Sequence, residues 1–370
     1  MILIGASPND PHAAAVEQEL ALRGALFLRF HFSRFPTRSE ISVSFGRGNS
    51  VGSIRVGDRE IHFSEVRSVW FRRPGVADAG GNIASKNLRT YIEGECSKLL
   101  ASLEFFVAPG CWTPGSSEAI TTAELKPLQL LCASRLGLEI PTTVIGNDPA
   151  RVKNELLGRS AQFVVKCLYS GYFESELTLL QRLKKKAYEI RHRRFFQAVA
   201  DDPEATDYYK YTSSLNLLNE SIDRDEMNGR LDYIPSCPVI VQEYIEKQFE
   251  VRVTVVGKKA FACAIHSQQH EKTRADWRVD AAACRHEPYQ LPVFVEERCL
   301  KLTADLGLNF GCIDLIVTPD GRHVFLEINP MGQWLWVERA TKLPIASAIA
   351  DLLMPGDRSS SVDGPNPAPV

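Results

Sequence analysis

Two carboxylates and one amide near the C-terminal end of the chain are spaced so that they can share a metal ion. The stretch reads GCIDLIVTPDGRHVFLEINPMGQW, and its dipeptide Asp320-Gly321 is typical of a two-residue hairpin turn between apolar strands. Counting outward from that turn places Asp314 opposite Glu327, with Asn329 on the same face. Opposed Cβ atoms lie roughly 5 Å apart, so the carboxylates repel each other unless a cation lies between them. Oxygen ligands of this kind suit Mg²⁺, and a surface hairpin with two solvated acids is the alternative.

The other face of the predicted hairpin is apolar, which is why a buried core on that side is expected. It collects Ile313, Leu315, Val317, Val324, Leu326 and Ile328. The hairpin therefore presents a core face and a polar face that holds the candidate metal ligands.

Composition limits the class of protein. The chain has 370 residues, 44% of them hydrophobic and 24% charged, and its formal net charge of −2 argues against a general nucleic-acid binder. Its nine cysteines are scattered, which is poor evidence for disulfides or zinc and fits a reducing compartment. No apolar run approaches the length that spans a bilayer, and the first residues lack the pattern of a signal peptide. We expect a soluble, cytoplasmic protein that binds neither nucleic acid nor membrane.

The elements before the hairpin alternate between helix and strand, which predicts an α/β protein. A strand over residues 2–6, a helix over 11–23 and a strand over 25–32 form a β-α-β opening. A helix is predicted over 119–136, ending at Gly137, and a short strand over 163–166 ends at Lys166. A basic and polar segment over 182–232 interrupts this pattern, and such a charge run is more often a solvated helix face.

Taken together, Lys126, Lys166, the strand 239–245 and the hairpin resemble the ATP-grasp superfamily. Local strings resemble its ligases of the microviridin, or graspetide, type, which close ω-ester or ω-amide rings in ribosomally made peptides. These strings are VWFRRP at 69–74, IHSQ at 265–268, DWR at 276–278 and EINPMGQW at 327–334. The resemblance implies an ATP-grasp fold, in which two α+β lobes sandwich ATP, preceded by an α/β pre-ATP-grasp domain.

That resemblance also implies domain boundaries. The pre-ATP-grasp domain would span residues 1–118, the central lobe 119–240 and the C-terminal lobe with the hairpin 241–354. Residues 355–370 form a Gly/Ser/Pro-rich tail that we expect to be disordered.

The cofactors that the resemblance implies are ATP and two Mg²⁺ ions. The residues that would bind the nucleotide are Lys126 and Lys166 on the phosphates, Gln242, Glu243, Tyr244 and Ile245 at the adenine, and Glu250 on the ribose. Asp314, Glu327 and Asn329 would hold the metal, with Arg252 and Arg278 as catalytic residues beside the acyl phosphate. The phosphate-covering loop at 168–172 departs from the superfamily pattern because it offers a single glycine, Gly171.

The substrate that the resemblance implies is an acidic precursor peptide with leader and core parts. The residues predicted to bind it are Arg72, Arg73, Lys184, Lys185, Lys186, His266 and Asp276. A ligase that joins a free amino acid to a small carboxylate or a protein tail, as glutamate ligases do, is the alternative, because the nucleotide site is common to both. The oligomeric state stays open, with a homodimer as one alternative.

Overall fold

The computed structural model describes residues 1–46, 49–107, 112–168, 219–274 and 276–354. The strands are β1 Ile2–Gly5, β2 Phe27–Phe30, β3 Ser39–Gly46, β4 Asn49–Val56, β5 Arg59–His62, β6 Ser68–Phe71, β7 Trp112–Thr113, β8 Thr143–Gly146, β9 Gln162–Lys166, β10 Asn219–Asp223, β11 Val239–Glu243, β12 Phe249–Val256, β13 Lys259–Ile265, β14 His286–Pro288, β15 Phe310–Val317 and β16 His323–Asn329. The α-helices are α1 Pro11–Leu22, α2 Lys86–Phe106, α3 Ser117–Ala123, α4 Lys126–Arg135, α5 Pro149–Val152, α6 Arg224–Arg230, α7 Val293–Asp305, α8 Leu335–Thr341 and α9 Ile345–Leu353. No helix within these ranges is both long enough and apolar enough to cross a membrane.

The chain forms two compact units. The first contains Met1–Ser7, Ala15–Thr113 and the described residues from Ala346 onward, and the second contains Pro8–Ala14 and Pro114–Ile345. The predicted domain boundaries differ from these units, chiefly at the last helix, and they stay a prediction. The predicted tail lies outside the described residues.

The first unit is built on a parallel sheet with the order β2-β1-β6-β7, and β1 pairs with β2 as the β-α-β opening predicts. A separate antiparallel sheet contains β3, β4 and β5. Apolar side chains from both sheets and from α2 share one core, which includes Leu3, Phe30, Ile54, Val69 and Leu103. This unit therefore has the α/β character that the sequence predicts.

The second unit holds two antiparallel sheets. One has the order β10-β9-β11-β8, and the other has the order β14-β13-β12-β15-β16. Helix α7 packs on one face of the five-stranded sheet, with its buried residues Val295, Cys299 and Leu302 at helical spacing. The opposite face of that sheet carries Arg252, Asp314 and Glu327.

The hairpin between β15 and β16 corrects the predicted turn. The amide of Thr318 donates to the carbonyl of Arg322 at 3.0 Å, so the loop has three residues rather than two, and Gly321 adopts a φ of +84°. This loop shifts the pairing by one residue, so that Leu315 faces Phe325. A bulge next to Asp314 then restores the count, and Asp314 does lie opposite Glu327.

The same bulge changes the predicted core face of the hairpin. Phe325, paired with Leu315, is fully buried there, whereas Leu326 is half-buried and Val324 lies on the face of Asp314. Val324 is fully buried but on the face opposite to the one predicted, because the three-residue loop shifts its pairing by one residue. The bulge leaves Leu326 without a paired residue on β15.

The structure has two helices, α3 and α4, where the sequence predicts one helix over 119–136. The predicted helix breaks between α3 and α4, because Pro127 has no N–H to bond to a preceding turn and is tolerated in the first turn of a helix instead. Leu125 before α4 has an extended backbone, with φ −74° and ψ 98°. The break places Lys126 at the start of α4.

Candidate active site

A row of charged side chains crosses the five-stranded sheet. Arg252 on β12 is paired with Asp314 on β15, which is paired with Glu327 on β16, so all three side chains share one face. The Arg252 guanidinium lies 2.9 Å from the Asp314 carboxylate, and their side chains are 10% and 24% exposed. Asn329 lies two residues beyond Glu327 on the same face, and its side-chain oxygen accepts from the Met331 amide at 3.1 Å. The structure thus brings the predicted metal ligands together on one surface.

Two lysines of the same unit add positive charge beside the carboxylates of this row. Lys166 ends β9, and the Lys126 ammonium donates to the carbonyl of Cys167 at 3.2 Å, which places both amines close together. Burial lowers the pKa of Lys166, and the neighbouring Lys126 lowers it further. Burial alone would raise the pKa of Glu327, but Lys166 and Lys126, together with two arginines, hold it below its ordinary value. Glu327 is therefore an anion in a cationic surrounding.

Asp314 is neutralised less completely than Glu327. Burial raises its pKa from 3.8 to about 6, and the nearby Glu327 raises it as well, although Arg252 opposes both effects. Burial thus outweighs the two nearby arginines, Arg252 and Arg278, in setting the pKa of Asp314. A divalent cation between Asp314 and Glu327 would lower that pKa by adding positive charge. The oxygen donors of these residues and of Asn329 fit Mg²⁺.

Arg278 approaches the row from a short 3₁₀ segment, Trp277–Ala283. Its guanidinium binds the Asp276 carboxylate through two bonds of 2.8 Å, and the Asp276 carboxylate also accepts from the Arg278 amide at 3.0 Å. Arg278 interacts electrostatically with both Glu327 and Asp314. Asp276 therefore holds Arg278 in place, and the pair lies beside the candidate metal ligands.

The segment predicted to contact adenine leaves the other sheet at the end of β11. Gln242 is buried, and its side-chain amide donates to the Thr143 hydroxyl at 3.0 Å. The Glu243 carboxylate accepts from the Thr142 amide at 2.7 Å, and the Tyr244 amide donates to the carbonyl of Gln162 at 3.0 Å. Tyr244 and Ile245 follow the strand and lead toward β12. Their roles at the nucleotide stay predictions.

Glu250 lies two residues before Arg252, on the same face of β12. Its carboxylate is bound by Lys247 at 2.6 Å and by the Ser267 hydroxyl at 2.9 Å. His266 does not join this group. Its ring lies 5.6 Å from that of Phe249, which is on the other face of β12, and its Nε2 lies 2.7 Å from Glu287.

Two of the remaining predicted substrate residues belong to the first unit. Arg72 is buried and Arg73 is half-buried, both in the first unit, and both of their amides donate to the carbonyl of Gly5 at 3.0 Å. Lys184, Lys185 and Lys186 lie outside the described residues, as does most of the segment 182–232. The roles of these residues stay predictions.

Sequence reasoning missed several residues that support the site. Lys247 and Ser267 hold Glu250. No motif marks Lys247, and Ser267 lies within the string IHSQ without being assigned a role. Gly332 lies against β15: a Cβ there would be 2.4 Å from the Cβ of Cys312 and 2.7 Å from its Sγ. Only glycine lets the chain pass so close to the strand that carries Asp314.

Two family models match separate stretches of the chain. Residues 1–104 match the family described as the MvdD pre-ATP grasp domain, and residues 218–353 match the RimK-like ATP-grasp domain. The solved macrocyclase MdnC from Microcystis aeruginosa MRC, bound with its precursor peptide MdnA, is 28% identical with a TM-score of 0.73. That similarity covers 96% of this chain and 99% of MdnC.

Two further matches have lower sequence identity to this chain. A RiPP-associated ATP-grasp ligase from Chryseobacterium gregarium, solved with ADP and a leader and core peptide, has the same fold, with 24% identity and a TM-score of 0.74. That match covers 95% of this chain and 96% of the ligase. The large chain of carbamoyl phosphate synthase from Campylobacter jejuni is 22% identical over 153 residues, which are 39% of this chain but 14% of that protein.

The fold and the site define a protein of the ATP-grasp class, in which an α/β pre-ATP-grasp domain precedes the ATP-grasp domain. More specifically, the chain is an ATP-grasp ligase that resembles the RiPP macrocyclases. Ligases of this class use ATP and Mg²⁺.

Proposed function

We propose that this protein activates Asp or Glu side-chain carboxylates of a ribosomally made precursor peptide and closes ω-ester or ω-amide crosslinks. The observation that carries this proposal is the similarity to MdnC over 96% of the chain, which includes the first domain as well as the nucleotide-binding part. A ligase that joins a free amino acid to a small carboxylate or a protein tail would share the nucleotide site, and the match of residues 218–353 to the RimK-like ATP-grasp domain keeps it as the second candidate.

The chemistry begins with an attack by the peptide carboxylate on the γ-phosphorus of ATP. The bond to the β-phosphate oxygen breaks, ADP leaves and an acyl phosphate forms. A Ser or Thr hydroxyl, or a Lys amine, then attacks the acyl carbon, loses its proton and displaces inorganic phosphate. Free carboxylates are poor electrophiles, so phosphorylation supplies the leaving group, while the protein contributes positioning and charge stabilisation.

The cationic groups of the site suit these steps. Lys126 and Lys166, which lie near each other, would bind the phosphate oxygens of ATP. Arg278, held by Asp276, would bind the substrate carboxylate or the departing phosphate, and Arg252 would face the acyl phosphate. Residues 242–245 would bind the adenine, and Glu250 would bind a ribose hydroxyl.

The metal ligands complete the proposed site. Asp314, Glu327 and Asn329 would hold two Mg²⁺ ions at this site. When bound, these ions neutralise charge as the phosphoryl group moves. The placement of these side chains on one face of β15 and β16 supports this assignment.

The substrate is proposed to be an acidic peptide with a leader and a core. Lys166, Lys126, Arg278 and Arg252 create a cationic surrounding that favours carboxylates as well as phosphates. The reaction would take place in the cytoplasm, where newly made peptide and ATP are both available. The sequence leaves the oligomeric state open, and light scattering on the purified protein distinguishes a monomer from a homodimer.

The test is ADP release with ATP and Mg²⁺, with and without an acidic peptide encoded beside the gene, together with mass spectrometry of the peptide. Peptide-dependent ADP release with loss of one water per ring supports the macrocyclase. ADP release with a gain in mass after addition of free amino acids supports the second candidate instead. If neither activity is found with any encoded peptide or amino acid, both candidate functions are contradicted.

A further inference from the structure

Gln129 on helix α4 is a buried amide whose hydrogen bonds all go to the backbone. Gln129 is only 3% exposed. Its Nε2 donates to the carbonyl of Ala123 at 2.7 Å and to that of Ile328 at 2.9 Å, while its Oε1 accepts from the amide of Ile328 at 3.1 Å. One side chain therefore satisfies both backbone groups of Ile328.

Ile328 lies between Glu327 and Asn329, two of the proposed metal ligands. It belongs to β16, which is the last strand in the order of its sheet, so at this point the outward N–H and C=O of Ile328 have no strand to pair with in the described sheet. The Gln129 amide offers one donor and one acceptor to them, as a neighbouring strand would. Because Glu327 and Asn329 flank this peptide, its orientation sets the direction of both side chains.

The helix that carries Gln129 also carries Lys126, one turn earlier. Lys126 reaches the carbonyl of Cys167 beside Lys166. Helix α4 thus begins with Lys126, one of the two lysines proposed to bind phosphate. Through Gln129, the same helix contacts the strand that carries the proposed metal ligands.

We infer that Gln129 is a positioning residue: its amide fixes the backbone of Ile328 so that Glu327 and Asn329 meet the metal at a set distance from Lys126. The inference rests on the proposed metal site. Residues that orient metal ligands without touching the metal change metal affinity by about 10–100-fold when they are replaced.

The test compares Gln129→Met, which keeps the length of the side chain and removes its hydrogen bonds, with Leu130→Ala on the same helix. Leu130 is buried at 7% exposure and its side chain has no hydrogen-bonding group, so its truncation tests the loss of apolar packing on α4. The measurements are Mn²⁺ binding by electron paramagnetic resonance in the presence of ADP, the melting temperature, and KM for ATP at saturating Mg²⁺. Gln129→Asn, whose amide is too short to bridge both carbonyls, serves if the Met variant does not fold.

We expect Gln129→Met to weaken Mn²⁺ binding about tenfold, with a change in KM for ATP of less than about twofold at saturating Mg²⁺. Leu130→Ala should lower the melting temperature about as much as Gln129→Met does. It should nevertheless leave Mn²⁺ binding within about twofold of the wild type. Equal Mn²⁺ affinity in the wild type and Gln129→Met would overturn the inference and leave the metal site intact. A wild-type protein that binds no Mn²⁺ with ADP would overturn the metal site and this inference together.

Discussion

The ion pair between Arg252 and Asp314 allows a quantitative test of how the site is held together. At 2.9 Å, two unit charges attract by about 6 kcal/mol if the effective dielectric constant is ~20. Desolvation of both groups offsets much of that attraction, so we expect a coupling free energy of about 2–3 kcal/mol. Arg252→Met alone should lower the free energy of unfolding by about 3 kcal/mol, because it leaves a buried carboxylate without its partner.

A double-mutant cycle measures this coupling. Arg252→Met, Asp314→Asn and the double variant are unfolded in urea without metal, and the free energies are compared. The matched control is the pair Lys301–Asp305, which has the same separation of 2.9 Å but side chains 62% and 41% exposed. Its cycle should give less than about 0.5 kcal/mol, because solvent screens exposed pairs. Equal coupling in the two cycles would refute the reasoning, since burial would then add nothing to the Arg252–Asp314 interaction.

Three further variants test other parts of the site. Glu327→Gln should slow ADP formation about 100-fold or more, because the bound metal supplies several kcal/mol of charge stabilisation, while circular dichroism stays unchanged; wild-type rates would remove Glu327 from the metal site. Gly332→Ala should destabilise the protein by about 1–3 kcal/mol in urea unfolding, since its Cβ would lie 2.4 Å from that of Cys312; an unchanged midpoint would show that the loop moves freely. Burial against Trp277 and Trp336 lowers the pKa of His286 below 6.5, so the unfolded chain binds its proton more readily and stability falls as the pH drops through and below about 6.5. His286→Phe should flatten that fall in melting temperature between about pH 5 and 7, and parallel profiles for variant and wild type would contradict it.

The sequence predicts the opposition of Asp314 and Glu327 even though it misplaces the turn. The apolar alternation does not fix this register, since Leu315, Ile316 and Val317 are paired one residue away from the predicted partners. The three-residue loop and the bulge beside Asp314 cancel each other, and neither is visible in the residue pattern. The break before α4 was open to prediction from Pro127, whose effect on the preceding turn follows from its missing N–H.

Other features depend on contacts that no local pattern shows. Gln129 and Ile328 are 199 residues apart, and a buried glutamine on a helix gives no sign of which backbone it will bind. The face of His266 depends on where β13 ends, and element ends are the part of a sequence-based prediction that propensity defines least. The strings that resemble graspetide ligases point to the fold, and the whole-length similarity to MdnC supports it at 28% identity.

The most direct test of the proposed function follows the oxygen atoms of the substrate. A peptide whose Asp and Glu carboxylates carry heavy oxygen is incubated with the wild-type protein, ATP and Mg²⁺, and the released phosphate and the peptide are analysed by mass spectrometry. The acyl phosphate route predicts one heavy oxygen in the phosphate for each ring closed and one ADP for each phosphate. Rings that form while the phosphate stays unlabelled would contradict carboxylate activation by ATP, and with it the central claim.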